Sequence, residues 1–299
     1  MAFFRNPMAR REALWGYLMI APVIIGLALF FYYALGTSLF ISMTKWDVLT
    51  APEWVGLDNY QHLLSDPVFQ KALWNTTYYT LLSVPLGLIV SLLLALALNT
   101  KIRFRDVYRL IFFLPVLTMP IAIAVVWRWI YNPDFGLLNQ FLRTFGVPRI
   151  KWLTDAAWAI PSLVVFSVWA GSGYGMVIFL AGLQNIPREY YEAAEVDGAN
   201  RWQLIRYVTL PLLTPTIFFN MVTSIIGACQ VFDIIYGLYS TNGGKAPEYV
   251  RSIVYILYDE GFHFFRMGSA SAAAWILFII ILVITIVQLR VQKRWVHYL

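Results

Sequence analysis

Long apolar runs alternate with short polar stretches along this chain, and six of the runs are long enough to cross a bilayer. They cover about residues 14–43, 72–99, 110–130, 158–185, 208–235 and 267–290. A helix needs roughly 20 mainly apolar residues to span the hydrocarbon core, so the longer runs predict tilt or an interfacial extension. Backbone polar groups find no water there, so each run is predicted to be a helix. The alternating pattern of a membrane barrel is absent. Asp66-Pro67 predicts a turn and a helix start, and Pro115 and Pro120 predict a kink in the third run. The expected fold class is an all-α membrane protein, with residues 1–299 forming a single transmembrane unit.

Composition strengthens that reading. Of 299 residues, 60% are hydrophobic and 13% charged, whereas soluble domains carry about a quarter charged residues. The net charge of +6 follows topology and needs no nucleic-acid partner. With the N-terminus inside, Arg5, Arg10, Arg11, Lys101, Arg103, Arg105, Arg109, Arg188, Arg201, Arg206, Arg290, Lys293 and Arg294 all fall inside. Most acids fall outside: Asp47, Glu53, Asp58, Asp66, Asp134, Asp155, Glu248, Asp259 and Glu260. This asymmetry predicts that both termini are cytoplasmic. The first run is far longer than a signal-peptide core, so it is expected to be retained as a span. Cys229 is the only cysteine and is expected to be helix filler.

One polar stretch, 187–211, stands out between the fourth and fifth runs. Pro187 suits a first helical turn, Glu189 and Glu192 suit the positive end of the helix dipole, and Ala193 and Ala194 propagate a helix. Gly198 then offers a left-handed stop after Asp197. Asn200 with Gln203 three residues on predicts a capping box for a second helix running into Pro211. The expected shape is helix, glycine corner, helix. An isolated segment of this kind is also compatible with an ordinary interfacial helix.

The full string Glu192-Ala193-Ala194-Glu195-Val196-Asp197-Gly198-Ala199, closed by Leu210-Pro211, resembles the signature of permease subunits in binding-protein-dependent ABC importers. Gly56–Tyr60 with Asp66-Pro67, Ala72-Leu73 and Asn75-Thr76 resembles the outside segment of carbohydrate-type permeases. Phe232-Asp233 with Tyr236 and the Thr241-Asn242-Gly243-Gly244 turn resembles their exit from span 5, although Lys245-Ala246 intervenes before Pro247. The combination is similar to the first permease of maltose-type and glycerol-phosphate-type systems. The resemblance implies a type I ABC importer permease fold in the inner membrane of a prokaryote, with 187–211 as a cytoplasmic coupling helix. Glu192, Ala193, Ala194, Asp197, Gly198 and Ala199 would then dock in a groove of an ATP-hydrolysing subunit. It also implies a second homologous permease, two ATPase subunits and an extracytoplasmic solute-binding protein. The substrate implied is a sugar or oligosaccharide, with glycerol phosphate or a polyol as the alternative.

Polar groups inside spans mark cavities or partners. Gln230 and Asp233 are three apart, hence on one face of an expected helix, and an amide with a carboxylate suits sugar hydroxyls. Asp233 is equally compatible with the outer water boundary. The resemblance also nominates Gly171 and Tyr174, with Trp169 nearby to stack on a sugar ring. Gly171 and Gly175 are also spaced for a small-residue helix contact. Trp127, Trp152 and Trp158 read as an interfacial belt. No P-loop is present, since Gly244-Lys245 is followed by alanine. The chain is therefore expected to be no enzyme and to bind no cofactor, with ATP and Mg held by partner subunits. His62, His263 and His297 lack metal-ligand spacing, and Ser172 lacks a nucleophile elbow. A transporter driven by ions without ATP ranks below this reading, because paired intramembrane charges are missing.

Overall fold

A computed structural model describes residues 7–100, 102–240 and 244–296. Arg5, Lys101, His297 and the Thr241-Asn242-Gly243 turn lie outside the described residues. The first apolar run is one rod, in which α1 (Pro7–Leu27) passes through a π-turn (Ala28–Tyr32) into α2 (Tyr33–Ser42). A short hairpin of β1 (Thr44–Lys45) and β2 (Glu53–Trp54) leads to α3 (Asp58–Ser65) and α4 (Pro67–Leu98). Asp66 ends one helix and starts the next. Its carboxylate accepts the Val68 N–H at 2.9 Å, and Pro67 occupies the first helical turn.

The third run is broken rather than kinked. α5 (Arg105–Leu117) and α6 (Pro120–Ile130) meet at 100°. Pro120 drives Met119 into extended backbone (ψ 124°), and Thr118 is extended too (ψ 151°). α7 (Leu137–Arg143) follows, then α8 (Ala156–Gln184), which is continuous and capped by Asp155 on the Ala157 N–H at 3.0 Å. After it come α9 (Arg188–Val196), α10 (Arg201–Gln203), a π-turn (Leu204–Thr209), α11 (Leu210–Leu212) and α12 (Thr214–Cys229). The fifth run bends by 65° at Leu213, between Pro211 and Pro215. The chain closes with α13 (Asp233–Tyr239), α14 (Ile253–Tyr258), a π-turn (Asp259–His263) and α15 (Met267–Gln292). Among the described residues, four helices are long and apolar enough to cross a membrane, or up to six if each bent pair is one span.

The core lies where α4 and α8 cross. The Tyr79 hydroxyl donates to Ser167 Oγ at 2.7 Å, and Gly175 lets α8 approach Ser91 on α4 and Asn220 on α12. At Gly173 the backbone of α5 comes so close that a Cβ would collide with the Phe112 carbonyl. α15 approaches the start of β1 in the same manner, with Gly268 lying over the Thr44 carbonyl. The tryptophans expected in an interfacial belt also make ring contacts with one another and with their neighbours. Trp127 lies against Tyr131, Phe166 and Trp169, and Trp152 against Trp158. In the apolar rod Arg10–Ser42 an 18-residue apolar window has no buried residue within this chain, whereas Ser42 at its end is buried.

Candidate functional site

Two features follow from this frame, an exposed elbow below α8 and a cavity between the helices. In the elbow, Pro187 is extended (φ −60°, ψ 138°) and precedes the helix rather than entering its first turn. Gly198 sits at φ +81°, a left-handed conformation that favours glycine. The Ala199 N–H reaches back to the Ala194 carbonyl at 2.9 Å and the Gly198 N–H to Glu195 at 3.0 Å. These are the paired bonds of a Schellman stop, and they satisfy carbonyls the helix leaves open. The capping box expected at Asn200 is present. Asn200 Oδ1 accepts the Gln203 N–H at 3.0 Å, and Gln203 Oε1 accepts the Asn200 N–H at 2.7 Å.

The elbow is rigid and its tip is bare. Glu192, Ala193, Asp197 and Gly198 are exposed, while Ala194 and Ala199 are half-buried. Val196 is 88% exposed and Trp202 69%. Tyr191 anchors the base, with its hydroxyl 3.2 Å from Thr209 Oγ1 and its ring against a core of Leu183, Ile186 and Leu213. An apolar tip ringed by carboxylates, held by its own hydrogen bonds, is a surface shaped for a macromolecular partner.

The cavity has a volume of about 420 Å³ and lies between α4, α8, α12 and the α5–α6 break. Gly171, Tyr174, Gln230 and Asp233 all line it. A Cβ at Gly171 would meet nothing within 4 Å, so this glycine opens the cavity, and helix contact falls to Gly173 and Gly175. Trp169 is not on the wall. It lies roughly 200° around α8 from Gly171 and packs at a tilt against Trp127, with ring centres 5.4 Å apart. The reason given for pairing Gln230 with Asp233 also fails. α12 ends at Cys229, and Asp233 opens α13 after a break at Phe232 (φ −143°, ψ −57°). Ser252 Oγ donates to the Val231 carbonyl at 2.6 Å within the break, and both side chains reach the cavity from it.

Sequence reasoning missed the α4 wall. Ser83 is 7% exposed, lines the cavity, and its hydroxyl has no partner. Tyr79 lies one helical turn before it and Ser91 two turns after, and both line the cavity. Asn220 faces them from α12, its amide donating weakly to the Gly175 carbonyl at 3.4 Å. Among the described residues, no lysine, arginine or histidine lines the cavity. The wall can therefore offer hydroxyl, amide and carboxylate hydrogen bonds to a polar, hydroxyl-bearing solute.

Comparison with known proteins places this arrangement. The chain is 40% identical over 300 residues to the probable ABC transporter permease protein YesP of Bacillus subtilis strain 168, covering 99% of this chain and 96% of that one. It is 35% identical over 285 residues to the trehalose/maltose transport system permease protein MalF of Thermococcus litoralis, covering 95% of each. A chain in the crystal structure of a bacterial alginate ABC transporter, in complex with alginate pentasaccharide-bound periplasmic protein, superposes with a TM-score of 0.82. That match has 28% identity and covers 95% of this chain and 96% of that one. Residues 83–297 match the profile of a family described as binding-protein-dependent transport system inner membrane component, and the chain belongs to that family.

Proposed function

We propose that this chain is one of two permease subunits of an ATP-driven ABC importer and forms half of the path for a sugar or oligosaccharide. One observation carries the reading: the elbow and the cavity share helices. α8, which contributes Gly171 and Tyr174 to the cavity, runs directly into the elbow. The elbow in turn continues through α10 and α11 into α12, which contributes Asn220 and Ser224. A force on the exposed Gly198 corner thus acts on two walls of the cavity.

In this reading Glu192, Ala193, Ala194, Asp197, Gly198 and Ala199 dock against an ATPase subunit, and both chain termini face the cytoplasm. The broken runs Arg105–Ile130 and Arg201–Cys229 each count as one span, giving six. An extracytoplasmic binding protein delivers the solute. ATP binding by the two ATPase subunits shifts the permease pair between inward-open and outward-open populations. Gln230 and Asp233 meet sugar hydroxyls, together with Ser83 and Tyr174. Relatives and the solved neighbour that serve saccharides support the substrate class.

Reconstitution of the chain with its second permease, ATPases and binding protein tests this. Saccharide uptake is expected to require both Mg-ATP and the binding protein. Asp233→Asn is expected to lower uptake about 10- to 150-fold, the range for a lost hydrogen bond to a charged group. Ion-driven uptake by the purified chain alone, insensitive to ATP, would overturn the proposal.

A further inference from the structure

The turn that enters α5 concentrates positive charge where a helix disfavours it. Arg103, Arg105 and Arg109 fall within seven residues of one another. Arg105 and Arg109 are four apart, so they share a helix face and repel. Arg105 also occupies the first position of α5, the positive end of its dipole. Only Asp106 offers local compensation, reaching Arg109 at 3.6 Å from a 94% exposed side chain.

The second observation concerns enclosure. Among the described residues, enclosed side-chain polar atoms without a partner occur on four residues: Ser83, Arg105, Arg109 and Gln288. Two of these are adjacent on this helix face, and in both the orphan is the guanidinium Nε. Ser83 already belongs to the cavity. Each Nε is turned inward, so what these two guanidiniums offer a ligand is their terminal nitrogens, as Arg109 Nη1 does toward the exposed Asp106.

The surroundings say what kind of anion fits. Phe104, Val107, Tyr108 and Ile111 are exposed on the same turns, and the Arg103 guanidinium lies 5.1 Å over the Phe104 ring. Cations interleaved with exposed apolar side chains match the boundary between headgroup and acyl chain. A soluble anion would satisfy the arginines and leave the apolar collar in water.

We propose that Arg105 and Arg109 form a site for the phosphate of an anionic phospholipid, with Arg103 at its edge and the apolar residues of α5 against the acyl chains. Guanidinium and phosphate form paired, charge-assisted hydrogen bonds; with each Nε enclosed, the terminal Nη groups are the donors a phosphate reaches. The lipid thereby offsets both the like-charge pair and the dipole.

Native mass spectrometry of the assembled transporter in mild detergent tests the site, using phosphatidylglycerol and phosphatidylcholine as probes. This readout needs no transport, so it stands whatever solute the complex carries. Wild type is expected to retain phosphatidylglycerol preferentially. Each of Arg105→Gln and Arg109→Gln is expected to weaken retention about fivefold, following the usual contribution of one basic residue at a charged membrane surface. Arg149→Gln, which removes a cation ion-paired with Asp134 elsewhere, is expected to leave retention unchanged. Should either glutamine variant fail to assemble, Arg105→Lys and Arg109→Lys keep the charge and are expected to retain lipid while losing part of the preference. Equal retention by wild type and the glutamine variants overturns the proposal, as does equal retention of the two lipids. Displacement of the lipid by excess inorganic phosphate, or crosslinking of these arginines to an ATPase instead of lipid, also overturns it.

Discussion

Gly198→Val is expected to abolish ATP-dependent uptake while the chain still folds and assembles. A Cβ at Gly198 would meet nothing within 4 Å, so the side chain itself has room. The backbone does not: φ is +81°, and an L-residue held left-handed costs about 1–2 kcal/mol, more when β-branched. Rotation away from that conformation breaks the bonds to the Ala194 and Glu195 carbonyls and turns Asn200 and its capping box away from α9. The damage is confined to the corner because the base is held by Tyr191 and the Leu183–Leu213 core. Gly198→Asn, which tolerates the left-handed region, is expected to keep much of the activity. Co-purification of subunits, substrate-stimulated ATP hydrolysis and uptake are the measurements. Normal coupling in the valine variant would remove the elbow from the mechanism.

A second large effect separates two glycines two residues apart. Gly171→Leu is expected to leave assembly and basal ATP hydrolysis intact and to lower uptake by at least tenfold, since the new side chain projects into the 420 Å³ cavity. Gly173→Leu is expected to destabilise the chain by several kcal/mol, because even its Cβ collides with the α5 backbone at Phe112. Thermal unfolding in detergent and uptake distinguish them: the first variant keeps its Tm and loses transport, and the second loses its Tm. Reversal of that order would show that the cavity wall has been misassigned.

Much of this was legible in the chain because it depends on local chemistry. The Asp66-Pro67 helix start, the Gly198 stop and the Asn200–Gln203 capping box each need only a few neighbouring residues, and each is present as expected. What depends on tertiary contact was not. Pro115 and Pro120 signalled a disturbance, but its 100° size reflects the packing of α5 against α8 at Gly173. The break after Cys229 is bridged by Ser252, 23 positions on, whose hydroxyl donates to the Val231 carbonyl. Trp169 looked available to a sugar because aromatic residues stack on rings; its helical phase assigns it to the Trp127 cluster. The α4 wall did carry a signal. Tyr79, Ser83, Gly87 and Ser91 repeat every four residues through an otherwise apolar run, marking one polar stripe along the helix. Judged by hydropathy alone, that stripe disappears into the span.

A photo-crosslinking amino acid at Val196, the most exposed apolar residue of the elbow, provides the most direct test of the account. Irradiation of the assembled transporter in membranes, with and without ATP, is followed by identification of the adducts. The account predicts a specific adduct with an ATP-hydrolysing subunit whose yield changes with nucleotide. Adducts with lipid alone, indifferent to nucleotide, would contradict it.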